Sequence, residues 1–167
     1  MPRVDFEALP DEARLWVFGA GRRLEPGEAR TLLDRVDTFL DGWAAHGAPL
    51  TSAREWREDT FLLVAVDERT APPSGCSIDV LVRELKDLEA RLGVSLVDHH
   101  SIWYRERGEI RRSARPAFRA LAEAGAVGPA TVVFDNSVTR MGQLRSGQWE
   151  RPARDAWHGA AFFRASA

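Results

Sequence analysis

Cysteine and lysine are almost missing from this sequence. Cys76 is the single cysteine among 167 residues, so no internal disulfide can staple the chain, which fits a reducing compartment. Lys86 is the single lysine; the other basic residues are arginine, as codon bias in a GC-rich genome produces. That one lysine settles a function class. A P-loop needs a glycine-rich turn ending in a lysine that reaches the phosphates, whereas Lys86 sits in Arg83-Glu84-Leu85-Lys86-Asp87 with no glycine loop before it. No Walker-type ATPase is encoded. Long apolar runs are absent too, so nothing approaches the roughly 18 residues of a bilayer span. The first 16 residues are acidic and lack the apolar centre of a signal peptide. A net charge of −2 and a pI near 6.1 provide no global field for nucleic acid or anionic lipid. A soluble, cytoplasmic protein with no nucleic-acid or membrane partner is expected.

What is present is the composition of a folded protein, 44% hydrophobic and 29% charged. Arg14-Leu15-Trp16-Val17-Phe18 reads as a first strand ended by Gly19-Ala20-Gly21. Pro26 opens a helix whose apolar residues, Leu32 to Trp43, recur at helical spacing, with Gly47 as the expected stop. Leu50 to Trp56 reads as a strand, and Phe61 to Val66 as a buried central one. After a Pro-rich loop, Ile78, Leu81, Val82, Leu85, Leu88 and Leu92 line one face of a second helix that Gly93 should end. Val94 to Val97 can begin another strand. The order β-α-β-β-α-β predicts an α+β fold with a ferredoxin-like layer over residues 1–98. Residues 99–167 are expected to form a small β/α lobe packed on it. In that lobe Ser101 to Tyr104 reads as a strand, Glu106 to Glu109 as a turn, Pro116 to Gly125 as a short helix, and Val127 to Phe134 as a segment that ends in a strand.

Two resemblances follow from quoted residues. Trp103-Tyr104, the short helix around Phe118 and Leu121, Gly125-Ala126-Val127, Thr131-Val132-Val133, Trp149 and Pro152 resemble the bacterial GYF-type module over about residues 101–157. That resemblance implies an interaction domain with an aromatic surface for proline-rich peptides. Ile110-Arg111-Arg112-Ser113 stands where the module has its opening Gly-Pro-Phe-like segment. Through Trp43-Ala44-Ala45-His46-Gly47, Ser74-Gly75-Cys76-Ser77-Ile78-Asp79 and Trp157-His158, the whole chain also resembles a family of small uncharacterised bacterial proteins. Some of these carry an automatic "ABC transporter ATPase" label, which the residues here do not support. Val97-Asp98-His99-His100 contains the tripeptide of the DHH phosphoesterases, but the separate Asp-rich and His motifs of such two-metal sites do not appear. With one cysteine and four scattered histidines there is no zinc spacing either. No metal and no cofactor are expected.

Ser74-Gly75-Cys76-Ser77-Ile78-Asp79 is the most informative hexapeptide, because a loop becomes a helix there. Gly75 would let a ligand approach the backbone. The first turn offers unpaired N–H groups and the positive end of the helix dipole, to which an anion could dock or which could draw Cys76 towards thiolate. Equally, Ser74 or Ser77 can be an ordinary N-cap, Asp79 a favourable charge near the dipole and Cys76 a small filler. A catalytic cysteine needs a base, for which His46 and His158 are the candidates. His46 can also be simply a residue at a helix end. Phe134-Asp135-Asn136-Ser137-Val138 follows a strand and reads as a turn. Trp149 and Trp157, set among Arg, Pro and Gly, could form an aromatic binding surface or cover the sheet of the first domain. The leading expectation is a non-catalytic binding or adaptor protein for an unknown protein or small anionic ligand, using Ser74, Gly75, Cys76, Ser77, Asp79, Trp149 and Trp157. The alternative is a cysteine-dependent enzyme or thiol switch with Cys76 as nucleophile and His46 or His158 as base.

Overall fold

A computed structural model describes residues 3–164. The chain divides into two compact units, residues 1–98 with 139–142, and 99–138 with 143–167. Both mix α and β structure, and their sheets are antiparallel.

The first unit runs β1 (Arg14–Gly19), α1 (Pro26–Asp41), the short strands β2 (Ala44–Ala45) and β3 (Ala48–Pro49), then β4 (Thr51–Arg57), β5 (Phe61–Asp67) and α2 (Gly75–Leu92). Strand β5 lies between β1 and β4, and all seven of its residues are buried. That is why it reads as a continuous apolar run and does not alternate. Leu62, Val64 and Val66 on one face share a core with Leu32, Val36 and Leu40 of α1 and with Leu81, Leu85 and Leu88 of α2. Burial of such side chains stabilises by about 1.5–3 kcal/mol each relative to exposure.

Local chemistry sets the helix ends. Pro26 begins α1, and Glu28 accepts the Glu25 N–H at 2.9 Å while pairing with Arg22 at 2.8 Å. Those two donors, Arg22 foremost, bring the Glu28 carboxyl down to about 2. The helix stops at Asp41 with Gly42 as its cap, earlier than the expected Gly47. Gly47 instead shares the β2–β3 turn with His46, at φ of 80° and 51°, the left-handed geometry that two-residue hairpins favour. In α2, Ser74 is the N-cap and Gly93, at φ 65°, the left-handed C-cap, as expected.

The strand expected over Val94–Val97 does not form. One Glu89 carboxylate oxygen accepts the N–H groups of Leu96 at 2.7 Å and Val97 at 2.9 Å, amides that a sheet ladder would otherwise use. Beside β1 lie two short pieces of chain instead. The Ser95 carbonyl accepts the Gly21 N–H at 2.9 Å, and a Cβ on Gly21 would stand 2.8 Å from the Ser95 hydroxyl, which would have to turn away. At the other end of β1, Leu15 donates to Thr139 at 2.8 Å and Met141 donates to Ala13 at 3.0 Å.

The second unit holds β6 (Ser101–Glu106), β7 (Glu109–Ala114), α3 (Arg115–Glu123), β8 (Val132–Phe134), β9 (Glu150–Pro152) and α5 (Trp157–Phe162), with α4 (Met141–Arg145) between β8 and β9. Its sheet order is β7-β6-β8-β9. Phe118, fully buried, centres the core with Ile102, Tyr104, Val127 and Val133. Strand β7 covers Ile110–Ser113, where the sequence pattern predicts no element. It pairs with β6 through a turn at Arg107 and Gly108, both at positive φ.

Candidate functional site

The loop before α2 is fixed at both ends. At its start Asp67, nearly buried, accepts the Arg69 amide at 3.0 Å and the Arg69 guanidinium at 2.8 Å, and this guanidinium holds the Asp67 carboxyl below its ordinary range. At its end the Ser77 N–H donates to the Ser74 hydroxyl at 3.1 Å, and the Ser74 N–H donates to the Ser77 hydroxyl at 2.7 Å. This reciprocal cap satisfies two amides that would otherwise lack acceptors. The Trp43 indole N–H then donates to the Ser77 carbonyl at 3.0 Å in a buried bond. Trp43 is itself packed on Phe39 and Trp16, with ring centroids 5.4 and 6.2 Å away. The residues following α1 therefore hold the first turn of α2 in place.

Cys76 occupies the second position of α2 and is exposed. Asp79 is exposed one turn further on. His46 sits on the exposed tip of the β2–β3 hairpin. Among the described residues no hydrogen bond joins Cys76 to a histidine. A Cβ at Gly75 would meet nothing within 4 Å, and its φ is not positive, so no contact within the protein requires glycine there. Gly75→Ala is therefore expected to fold normally and to raise stability by about 0.5 kcal/mol through the less flexible unfolded chain, as chemical denaturation would register.

His158, the second base candidate, belongs to the other unit and is 1% exposed. It stacks on Trp157 at 4.0 Å. Burial pushes its pKa down to about 4, against the pull of Asp135 and with the help of Arg115 and Arg151. It is neutral at pH 7 and is one of a group of buried polar residues that the sequence did not reveal.

Asp135 anchors that group. It is 4% exposed and accepts the Ser137 N–H at 3.1 Å, the Ser137 hydroxyl and the Arg151 guanidinium at 3.0 Å. Asn136 accepts the Trp149 indole N–H at 2.8 Å. Three buried atoms of the group have no hydrogen-bond partner: Asn136 Nδ2, Arg151 Nε and His158 Nδ1. The segment is the turn expected after β8, since Ser137 folds back onto the Asp135 carboxylate. Nothing in the local pattern announced that Arg151 and His158, from β9 and α5, act on it.

Trp149 is buried against Phe134 at 5.1 Å. Trp157 is half-buried, with His158 stacked on it and the Arg115 guanidinium 5.0 Å over its ring. Trp149 is thus not displayed as part of the expected aromatic surface, whereas Trp157 keeps part of its side chain exposed. No group of three His, Cys, Asp or Glu side chains among the described residues could hold a metal ion. No helix among them is long and apolar enough to cross a membrane. No family model, no curated protein and no solved structure matches the chain.

Proposed function

We propose that this chain is a cytoplasmic binding or adaptor protein, with the first turn of α2 as a contact surface, and not a cysteine-dependent enzyme. One observation carries the reading: the exposed Cys76 thiol has no hydrogen bond to a histidine among the described residues. A nucleophile to which no base is hydrogen-bonded lacks the pairing that would activate it. The capped turn around it is nevertheless rigid, tied through Trp43 to the core, and a rigid exposed turn suits recognition.

In this reading the first unit is a ferredoxin-like layer. The antiparallel order β1-β5-β4, with α1 and α2 sharing one core, supports it, and residues 139–142 take the outer position beside β1. The second unit is a GYF-like lobe, supported by a small antiparallel sheet with α3 packed through Phe118. The test is to compare cross-linked partners of the wild type and Cys76→Ser. The same partners in the same amounts are expected. Loss of every partner on this one-atom change would mean that thiol chemistry is the function.

A further inference from the structure

Charge is unevenly placed along this chain. The second unit carries ten arginines and no lysine against six carboxylates, a net +4, while the first carries thirteen basic residues against nineteen acidic, a net −6. Within the second unit the excess gathers on β7, its turn and α3, where Arg107, Arg111, Arg112, Arg115 and Arg119 are all exposed. The acids of β7 and its turn are already engaged: Arg111 pairs with Glu109 at 3.3 Å and with Glu106 at 3.7 Å.

Arg115 and Arg119 are different. They stand four residues apart on α3, so they share a face, and like charges at that spacing repel. Each guanidinium lies over a ring of α5, Arg115 over Trp157 and Arg119 over Phe162, both at 5.0 Å. Neither has a carboxylate partner among the described residues, and Glu123, one turn beyond Arg119, makes no ion pair with it. A guanidinium stacked on a ring keeps N–H donors at its edge, preset for a carboxylate; of these, one Arg119 N–H already donates to the Ala161 carbonyl at 3.5 Å. Next to α3, strand β7 is the outer strand of the sheet, with β6 on one side and no strand on the other among the described residues. Its residues are mostly exposed, so an edge of backbone donors and acceptors is open.

We propose that this edge and the α3 face receive an extended acidic segment of a partner protein. The segment adds to β7 as a strand and sets carboxylates on Arg115 and Arg119. The proposal rests on the binding reading above and gives it a partner chemistry. Charge complementarity selects the occupant. A second copy of β7 would bring arginine against arginine, and single-stranded nucleic acid would need exposed rings for its bases, whereas Val80 of α2 is the exposed large hydrophobic among the described residues.

Fluorescence anisotropy of the full-length protein with a labelled strand-length peptide alternating Glu with Val tests this. Binding is expected, weakening as salt rises. Arg115→Ala with Arg119→Ala should weaken it about tenfold or more, the effect of lost charge-assisted bonds. Arg115→Lys with Arg119→Lys, which keeps the charge and removes the fork, should lose an intermediate amount. A peptide N-methylated at alternate amides should lose binding to the unaltered protein, where no folding defect can intervene. Equal binding of a Lys-Val peptide, indifference to the arginine changes, equal binding of the N-methylated peptide, or tighter binding of an oligothymidylate would each overturn the proposal. Such a failure alongside unchanged partners for Cys76→Ser would remove this surface and leave the binding reading standing.

Discussion

Asp135→Ala should lower stability by about 3 kcal/mol, the order found when one member of a buried ion pair is removed and the other stays. The Asp135 carboxylate is 4% exposed and has three donors on it: the Ser137 amide, the Ser137 hydroxyl and Arg151. Removing it leaves Arg151, whose side chain is 25% exposed, without its carboxylate, and Arg151 Nε already lacks a partner. The partial exposure of Arg151 keeps the expected loss at the lower end of the range for buried pairs. Asp135→Asn should cost roughly half as much, because the amide oxygen still accepts the Ser137 N–H while the charge is gone. Urea titration of the three proteins at neutral pH would rank them. Equal stability of Asp135→Ala and wild type would show that the group contributes no net stabilisation.

Acid should destabilise the protein well before its carboxylates titrate. His158 is neutral in the folded chain down to about pH 4, because burial opposes its charge. In the unfolded chain the same imidazole takes a proton near pH 6.5. Between those values the unfolded state binds the extra proton, so the His158 contribution to stability falls as pH drops from about 6.5 to about 4 and is constant below. The difference corresponds to about 3 kcal/mol over the whole window. His158→Phe, which keeps a ring against Trp157 without a titrating group, should flatten this dependence. Denaturation midpoints at several pH values between 7 and 4 read it directly, and parallel curves for wild type and variant would contradict it. The two effects are coupled. Asp135 favours the charged imidazole, so its removal should push His158 further down, and the double variant should not be additive.

Parts of this fold were legible because short-range chemistry decides them. Pro26, the Ser74 cap, Gly93 and the run Phe61 to Val66 each carry their structural meaning within a few residues. Strand β7 was missed because an outer strand with both faces largely exposed needs no apolar alternation; its sequence, Glu-Ile-Arg-Arg-Ser-Ala, looks like a loop. The missing strand at Val94–Val97 was misread because Glu89, on the preceding helix, takes its amides. Residues 139–142 reach β1 across more than a hundred residues, a pairing that no local pattern encodes.

The site divides in the same way. The capped turn around Cys76 was readable from Ser74 and Ser77, which lie within one turn of it. That Trp43 steadies this turn was not, since the bond spans 34 residues. His158 read as a base candidate for Cys76; its place against Trp157 and under the influence of Asp135 depends on packing of the second unit. Trp149, set among polar neighbours, looked displayable, yet Phe134 and Asn136 hold it inside.

The reactivity of Cys76 tests the central claim most directly. The iodoacetamide labelling rate of the native protein at neutral pH should match that of a small unactivated thiol, and His46→Ala or His158→Phe should leave it unchanged. A rate more than about tenfold faster, falling to the reference value in either histidine variant, would reveal an activated thiolate and contradict the reading of this protein as a binder.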